Sequence, residues 1–209
     1  MPRSRAEADA DRRPPADDDR RLFVAVPLAE DVNTVVRRLV DDVRRDEPPG
    51  RGVRWVRLDG LHVTLRFLGP TTTDRIEPIA EAVHRTAIQS RPFATAIAGA
   101  GAFPSGGRPR TIWLGIDDTG DEMADLARRL DDELLGLGWQ RQDRPFRPHL
   151  TLARADGVRA GPASAAALRT AAEGIRLESP VDRIVLFESL TGGGPARYVP
   201  LREERLGPG

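Results

Sequence analysis

Residues 61–69 read Leu61-His62-Val63-Thr64-Leu65-Arg66-Phe67-Leu68-Gly69, and residues 148–154 read Pro148-His149-Leu150-Thr151-Leu152-Ala153-Arg154. In both stretches a histidine is followed two positions on by a threonine, with aliphatic residues between and after. Polar and apolar side chains that alternate in this way mark a half-buried β-strand. Alternate residues of a strand share a face, so His62 and Thr64 project together while Val63 and Leu65 face a core. The same holds for His149 and Thr151 against Leu150 and Leu152. The chain has only three histidines, and two of them occupy this matching context.

Upstream of each histidine strand the chain repeats itself. Leu22-Phe23-Val24-Ala25-Val26 reads as a strand, and Val32, Val35, Val36, Leu39, Val40 and Val43 then form one stripe of an amphipathic helix that stops before Pro48-Pro49-Gly50. Thr111 to Ile116 reads as a second such strand. Met123, Leu126, Ala127, Leu130, Leu134 and Leu137 form the helix stripe that follows it. Strand, helix and histidine strand thus occur twice, the pattern of an internal duplication. Between the repeats a helix is predicted from Asp74, as N-cap, to Ala87, and a strand over 92–98. Arg54-Trp55-Val56 reads as a short strand. A helix near 162–172 and strands at 181–188 and 196–201 complete the pattern. Helices among short strands predict an α+β fold with antiparallel sheets. Residues 1–20, with almost nothing to bury, read as a disordered tail. The domain is expected over 21–203, with a tail at 204–209.

Composition narrows the chemistry. Of 209 residues, 39% are hydrophobic and 31% charged, with 32 basic and 32 acidic residues, so net charge gives no sign of a nucleic-acid binder. With no cysteine, disulfides, thiolate metal sites and cysteine nucleophiles are excluded. No apolar run approaches the roughly 20 residues of a membrane helix, and the N-terminus lacks the apolar stretch of a signal peptide, so a cytoplasmic protein without a membrane partner is expected. Nothing in the sequence demands more than a monomer.

Two His-Thr pairs suit phosphoryl transfer without a metal or other cofactor. A neutral imidazole takes a proton from water while a protonated one donates to the leaving oxygen on the far side of phosphorus. Imidazole has the right acidity because both forms exist near neutral pH. The Thr64 and Thr151 hydroxyls can bond the non-bridging oxygens. Around them, Arg66 shares the predicted face of His62. Arg154 falls on the opposite face from His149 unless the strand bulges. Arg147, with Arg144, Arg108 and Arg110, suggests a positive rim for an RNA backbone, and Phe146 is a candidate base contact. His84 falls outside its helix's apolar stripe and reads as solvated.

Taken with Leu22 to Pro27, Arg54-Trp55-Val56, Arg144 to Arg154 and Val185-Leu186-Phe187-Glu188-Ser189, the two histidine strands resemble the 2H phosphoesterase superfamily. The nearest resemblance is to the RNA 2′,3′-cyclic phosphodiesterases historically called 2′–5′ RNA ligases. It implies two duplicated lobes related by a pseudo-twofold, with sheets facing a central cleft. It also implies hydrolysis of cyclic RNA ends to 2′-phosphates, with His62 as proton donor, His149 as proton acceptor and Arg154 among the substrate contacts. A 2H enzyme for 2′–5′-linked or small cyclic nucleotides shares the same motifs, and an RNA-end binding module that lacks catalysis would retain the cleft.

Overall fold

The computed structural model describes residues 19–45, 52–105, 107–155, 160–192 and 194–208; residues 1–18 of the expected tail lie outside them. Among the described residues nine strands pair wholly antiparallel: β1 (Arg20–Pro27), β2 (Val53–Trp55), β3 (His62–Thr71), β4 (Phe93–Phe103), β5 (Thr111–Asp117), β6 (His149–Ala155), β7 (Arg176–Val181), β8 (Arg183–Leu190) and β9 (Arg197–Arg205). Their order is β7-β4-β5-β6-β3-β1-β8-β9, with β2 added alongside β6. The halves β7-β4-β5-β6 and β3-β1-β8-β9 join through a single residue pair, Val63 with Leu150. The expected α+β fold of two antiparallel lobes is therefore built as one continuous sheet.

Four α-helices are seen among the described residues: α1 (Glu30–Arg45), α2 (Ile76–Ile88), α3 (Glu122–Leu135) and α4 (Ala160–Ala171). Acidic Glu30 and Asp31 open α1 and basic Arg44 and Arg45 close it, which suits the helix dipole. Its Val32, Val36, Val40 and Val43 are buried, while Val35, at the edge of the predicted stripe, is exposed. Two of them, α1 and α3, cross over between halves. The α1 valines pack with Ile112 and Leu114 of β5, Leu150 and Leu152 of β6 and Leu168 of α4. Conversely, Met123, Leu126, Leu130 and Leu134 of α3 pack with Leu22 and Val24 of β1, Val63 and Leu65 of β3 and Val83 of α2. Each half of the sheet is thus covered by the helix that follows the other half's strand.

Several boundaries differ from the sequence reading. Asp74 lies in a short 3₁₀ turn, Thr73–Arg75, and α2 begins after it without a side-chain cap. β4 continues past Ala98 because Gly99, at φ +69°, absorbs a register shift between Ile97 and Ala100. Further along β4, Gly101 lies under the Trp113 ring, where a Cβ would come within 2.4 Å of a ring carbon. β9 extends through Arg205, and the Gly207 amide donates to the Ala87 and Ser90 carbonyls at the end of α2. The fold therefore reaches past residue 203.

Candidate active site

The joining pair of residues fixes the site. Because Val63 opposes Leu150 in an antiparallel pair, continuing the register sets His62 opposite Thr151 and Thr64 opposite His149. Val63 and Leu150 are buried on the helix side, so the four polar side chains stand on the other face. Two histidines on one diagonal and two threonines on the other surround the junction of the halves. Among the described residues the two threonine hydroxyls bond no other protein group, which leaves them open to a ligand.

The imidazoles are held identically. His62 Nδ1 lies 2.7 Å from the Gly60 carbonyl and His149 Nδ1 lies 2.7 Å from the Arg147 carbonyl, each two residues upstream. A carbonyl only accepts, so each Nδ1 carries the hydrogen and each Nε2 is left for chemistry. Aromatic rings line both. The His62 ring centre is 4.9 Å from Phe23, 6.0 Å from Phe187 and 4.9 Å, edge-on, from Tyr198. His149 stands edge-on to Phe103 at 5.1 Å and 6.3 Å from Trp113. Burial holds the His62 pKa below the usual imidazole value, against the opposing pull of the Gly60 carbonyl. Burial does the same at His149, where the Arg147 carbonyl opposes it and the Arg154 charge adds to it.

Matched β-bulges decide which basic residues reach this face. In β3, Val24 pairs with Arg66 and Ala25 with Thr64, so Leu65 is the extra residue. In β6, Ile112 pairs with Ala153 and Trp113 with Thr151, so Leu152 is extra at the equivalent point. Each bulge reverses the alternation that follows it. Arg66 therefore leaves the histidine face, contrary to simple alternation. It is 7% exposed, paired with Asp131 of α3 at 3.0 Å, and donates to the Gln140 carbonyl. Phe67 takes its place on the cleft face, 65% exposed and 6.0 Å from Phe23. The same device brings Arg154 onto the His149 face, where its Nη1 donates to Thr111 Oγ1 at 2.6 Å. At the fifth position after each histidine one half offers an aromatic ring and the other a cation.

The remaining candidates are spread. Arg147 is exposed and enters the site through its carbonyl. Phe146 is half-buried and packs against the core under β1 and β3. Arg144, Arg108 and Arg110 are exposed. His84 meets Glu204 at 3.0 Å, away from the cleft. Tyr198, the only tyrosine, carries no local signal of its place beside His62, because its strand is joined to the His62 strand only through β8 and β1.

A duplicated antiparallel fold that presents one His-x-Thr strand from each half is that of the 2H phosphoesterases. More particularly, the chain belongs to the 2′-5′ RNA ligase superfamily, whose family model matches residues 30–193. A relative named RNA 2′,3′-cyclic phosphodiesterase from Thermotoga maritima is 30% identical over 176 residues, covering 84% of this chain and 90% of that one. One of the same name from Archaeoglobus fulgidus is 37% identical over 134 residues, 64% of this chain and 72% of its own. The match to the Geobacillus stearothermophilus protein of that name, 34% identical, spans 63% of this chain and 41% of that longer protein. Among solved structures, the Thermus thermophilus protein TT0787 superposes with a TM-score of 0.69 at 29% identity, over 89% of this chain and 97% of that one. E. coli LigT complexed with 3′-AMP gives 0.69 at 26% identity, over 90% and 98%.

Proposed function

We propose that the protein hydrolyses 2′,3′-cyclic phosphate ends of RNA to 2′-phosphomonoesters. The observation that carries this reading is the diagonal pair of identically held imidazoles with their Nε2 atoms free, flanked by two unpartnered threonine hydroxyls. The names of the relatives support the substrate class. His149 Nε2 takes a proton from water as the new P–O bond forms. The P–O3′ bond breaks on the opposite side, and protonated His62 Nε2 supplies the proton to O3′. Thr64 and Thr151 donate to the non-bridging oxygens, where charge builds up. The assignment of acid and base follows the family resemblance. Arg154 lends positive charge to the RNA backbone, and the exposed Phe67 ring offers a stacking surface for a base. The scheme uses no metal and acts on a soluble RNA end.

The test is an RNA oligomer ending in a 2′,3′-cyclic phosphate, incubated in EDTA, with the product phosphate located on the ribose. A 2′-phosphate is expected. Turnover only with added metal would contradict the two-histidine scheme, and tight binding without turnover would make the protein a binding module.

The depressed histidine pKa values set the pH dependence. The productive free enzyme carries one imidazolium and one imidazole, and the pair titrates as a unit. With both groups lowered from about 6.5, the doubly neutral form takes over as pH rises through the depressed values. We expect kcat/KM to follow a bell whose maximum lies on the acid side of 6.5. A maximum above about pH 7.5 would show that the acid is some other group.

A further inference from the structure

Beyond Thr151 on the cleft face, two arginines stand side by side. Arg54 of β2 is the direct antiparallel partner of Arg154 of β6, and Arg154 is also the partner of Thr111 of β5. Directly opposed residues project to the same face. That face is the cleft side, because Arg154 bonds the Thr111 hydroxyl and Trp113, two residues along β5, stands beside His149. The neighbours of Arg54 turn the other way: Val53 and Trp55 pack against the core under β5 and β6.

Arg54 is exposed, and among the described residues no carboxylate pairs with either guanidinium. Like charges directly opposite one another across a sheet repel, and Thr111 bonds a single nitrogen of one of them. An anion between the two forks would remove the repulsion and use their remaining donors. The place suits a particular anion. The bulge at Leu152 leaves two extended steps from Thr151 to Arg154, about 7 Å, on the order of one nucleotide along a strand whose end phosphate sits at Thr151.

We propose that Arg54 and Arg154 together seat the phosphodiester that links the terminal nucleotide to its 5′ neighbour. The enzyme would then prefer the ends of oligonucleotides to mononucleoside cyclic phosphates. This rests on the cyclic phosphodiesterase reading given above.

The experiment uses three substrates: a nucleoside 2′,3′-cyclic phosphate, a dinucleotide with the same cyclic end, and that dinucleotide with a neutral methylphosphonate linkage. The wild-type protein is expected to favour the phosphate-linked dinucleotide by tenfold or more in kcat/KM, mainly through KM, as fits a charged hydrogen bond. The methylphosphonate should fall back towards the mononucleotide. In Arg54→Met the preference should shrink to about twofold, and the salt dependence of KM for the dinucleotide should flatten by roughly one counterion. Three results would overturn the inference: no preference in the wild type, equal use of the two dinucleotides, or an equal loss on all substrates in Arg54→Met. Failure of the wild type to turn over any of them would instead remove the phosphodiesterase reading beneath it.

Discussion

Alanine at His62 or at His149 is expected to lower turnover of cyclic-ended RNA by a factor of at least ~100, the usual contribution of a positioned acid or base. The two losses should have different characters. His62 stands among Phe23, Phe187 and Tyr198, so its removal also opens a space in an aromatic cluster. His62→Gln fills more of that space and separates lost chemistry from lost packing. Circular dichroism and thermal melting of each variant establish that the fold persists. A cyclic substrate with sulfur in place of the leaving 3′ oxygen needs little help from an acid. It should restore much of the activity of His62→Ala and little of that of His149→Ala. Rescue of the other variant would reverse the roles, and near-normal activity in either variant on the natural substrate would remove the two-histidine mechanism.

Asp131→Ala is expected to destabilise the protein by about 3–5 kcal/mol, because it leaves the Arg66 guanidinium buried without its counter-charge. The Arg66 and Asp131 side chains are only 8% and 13% exposed and lie 3.0 Å apart, so solvent cannot replace the lost partner. For a domain of this size the melting temperature should fall by about 10 °C. Replacing both partners by apolar residues, Arg66→Met with Asp131→Leu, should recover most of the loss, since a well-packed apolar pair often matches a buried ion pair. The double variant also tests where Arg66 points. Turned towards α3, Arg66 has no contact with substrate, and the double variant should keep its kcat/KM. A large fall in kcat/KM with the melting temperature restored would mean that Arg66 reaches the cleft after all.

The sequence made the site legible at the level of the strand face. Period-two alternation is a strong local signal, and it placed His62 with Thr64 and His149 with Thr151. It failed at Arg66 for a definite reason. A bulge is set by cross-strand register, a long-range property, and neither Leu65 nor Leu152 differs in type from an ordinary strand residue. The same blindness left Arg154 open and hid Arg54, whose importance comes only from pairing opposite Arg154. The strand β7, with Pro180 inside it, gave no alternation to follow. Phe146 read as a candidate base contact because local sequence does not say which part of the core it will pack against. Helices α1, α2 and α3 were legible from their stripes and α4 only as a short helix near 162–172, but not which half of the sheet each would cover.

That crossing of helices bears on how the molecule folds. A fragment ending before β5 would have α1 but not the strands that α1 covers, and it would have β1 and β3 without α3. In it α2 would still pack with β1 and β3, but the apolar surfaces buried by α1 and α3 in the whole chain would remain bare, so the half chain has only part of a core to close. Contacts between segments far apart in sequence must form before either half gains its stability, which makes folding slow and all-or-none. The arrangement is that of a domain-swapped pair written into one chain. A shared core of this kind couples the lobes mechanically, because neither can swing away from the other without drawing its helix out of the opposite half.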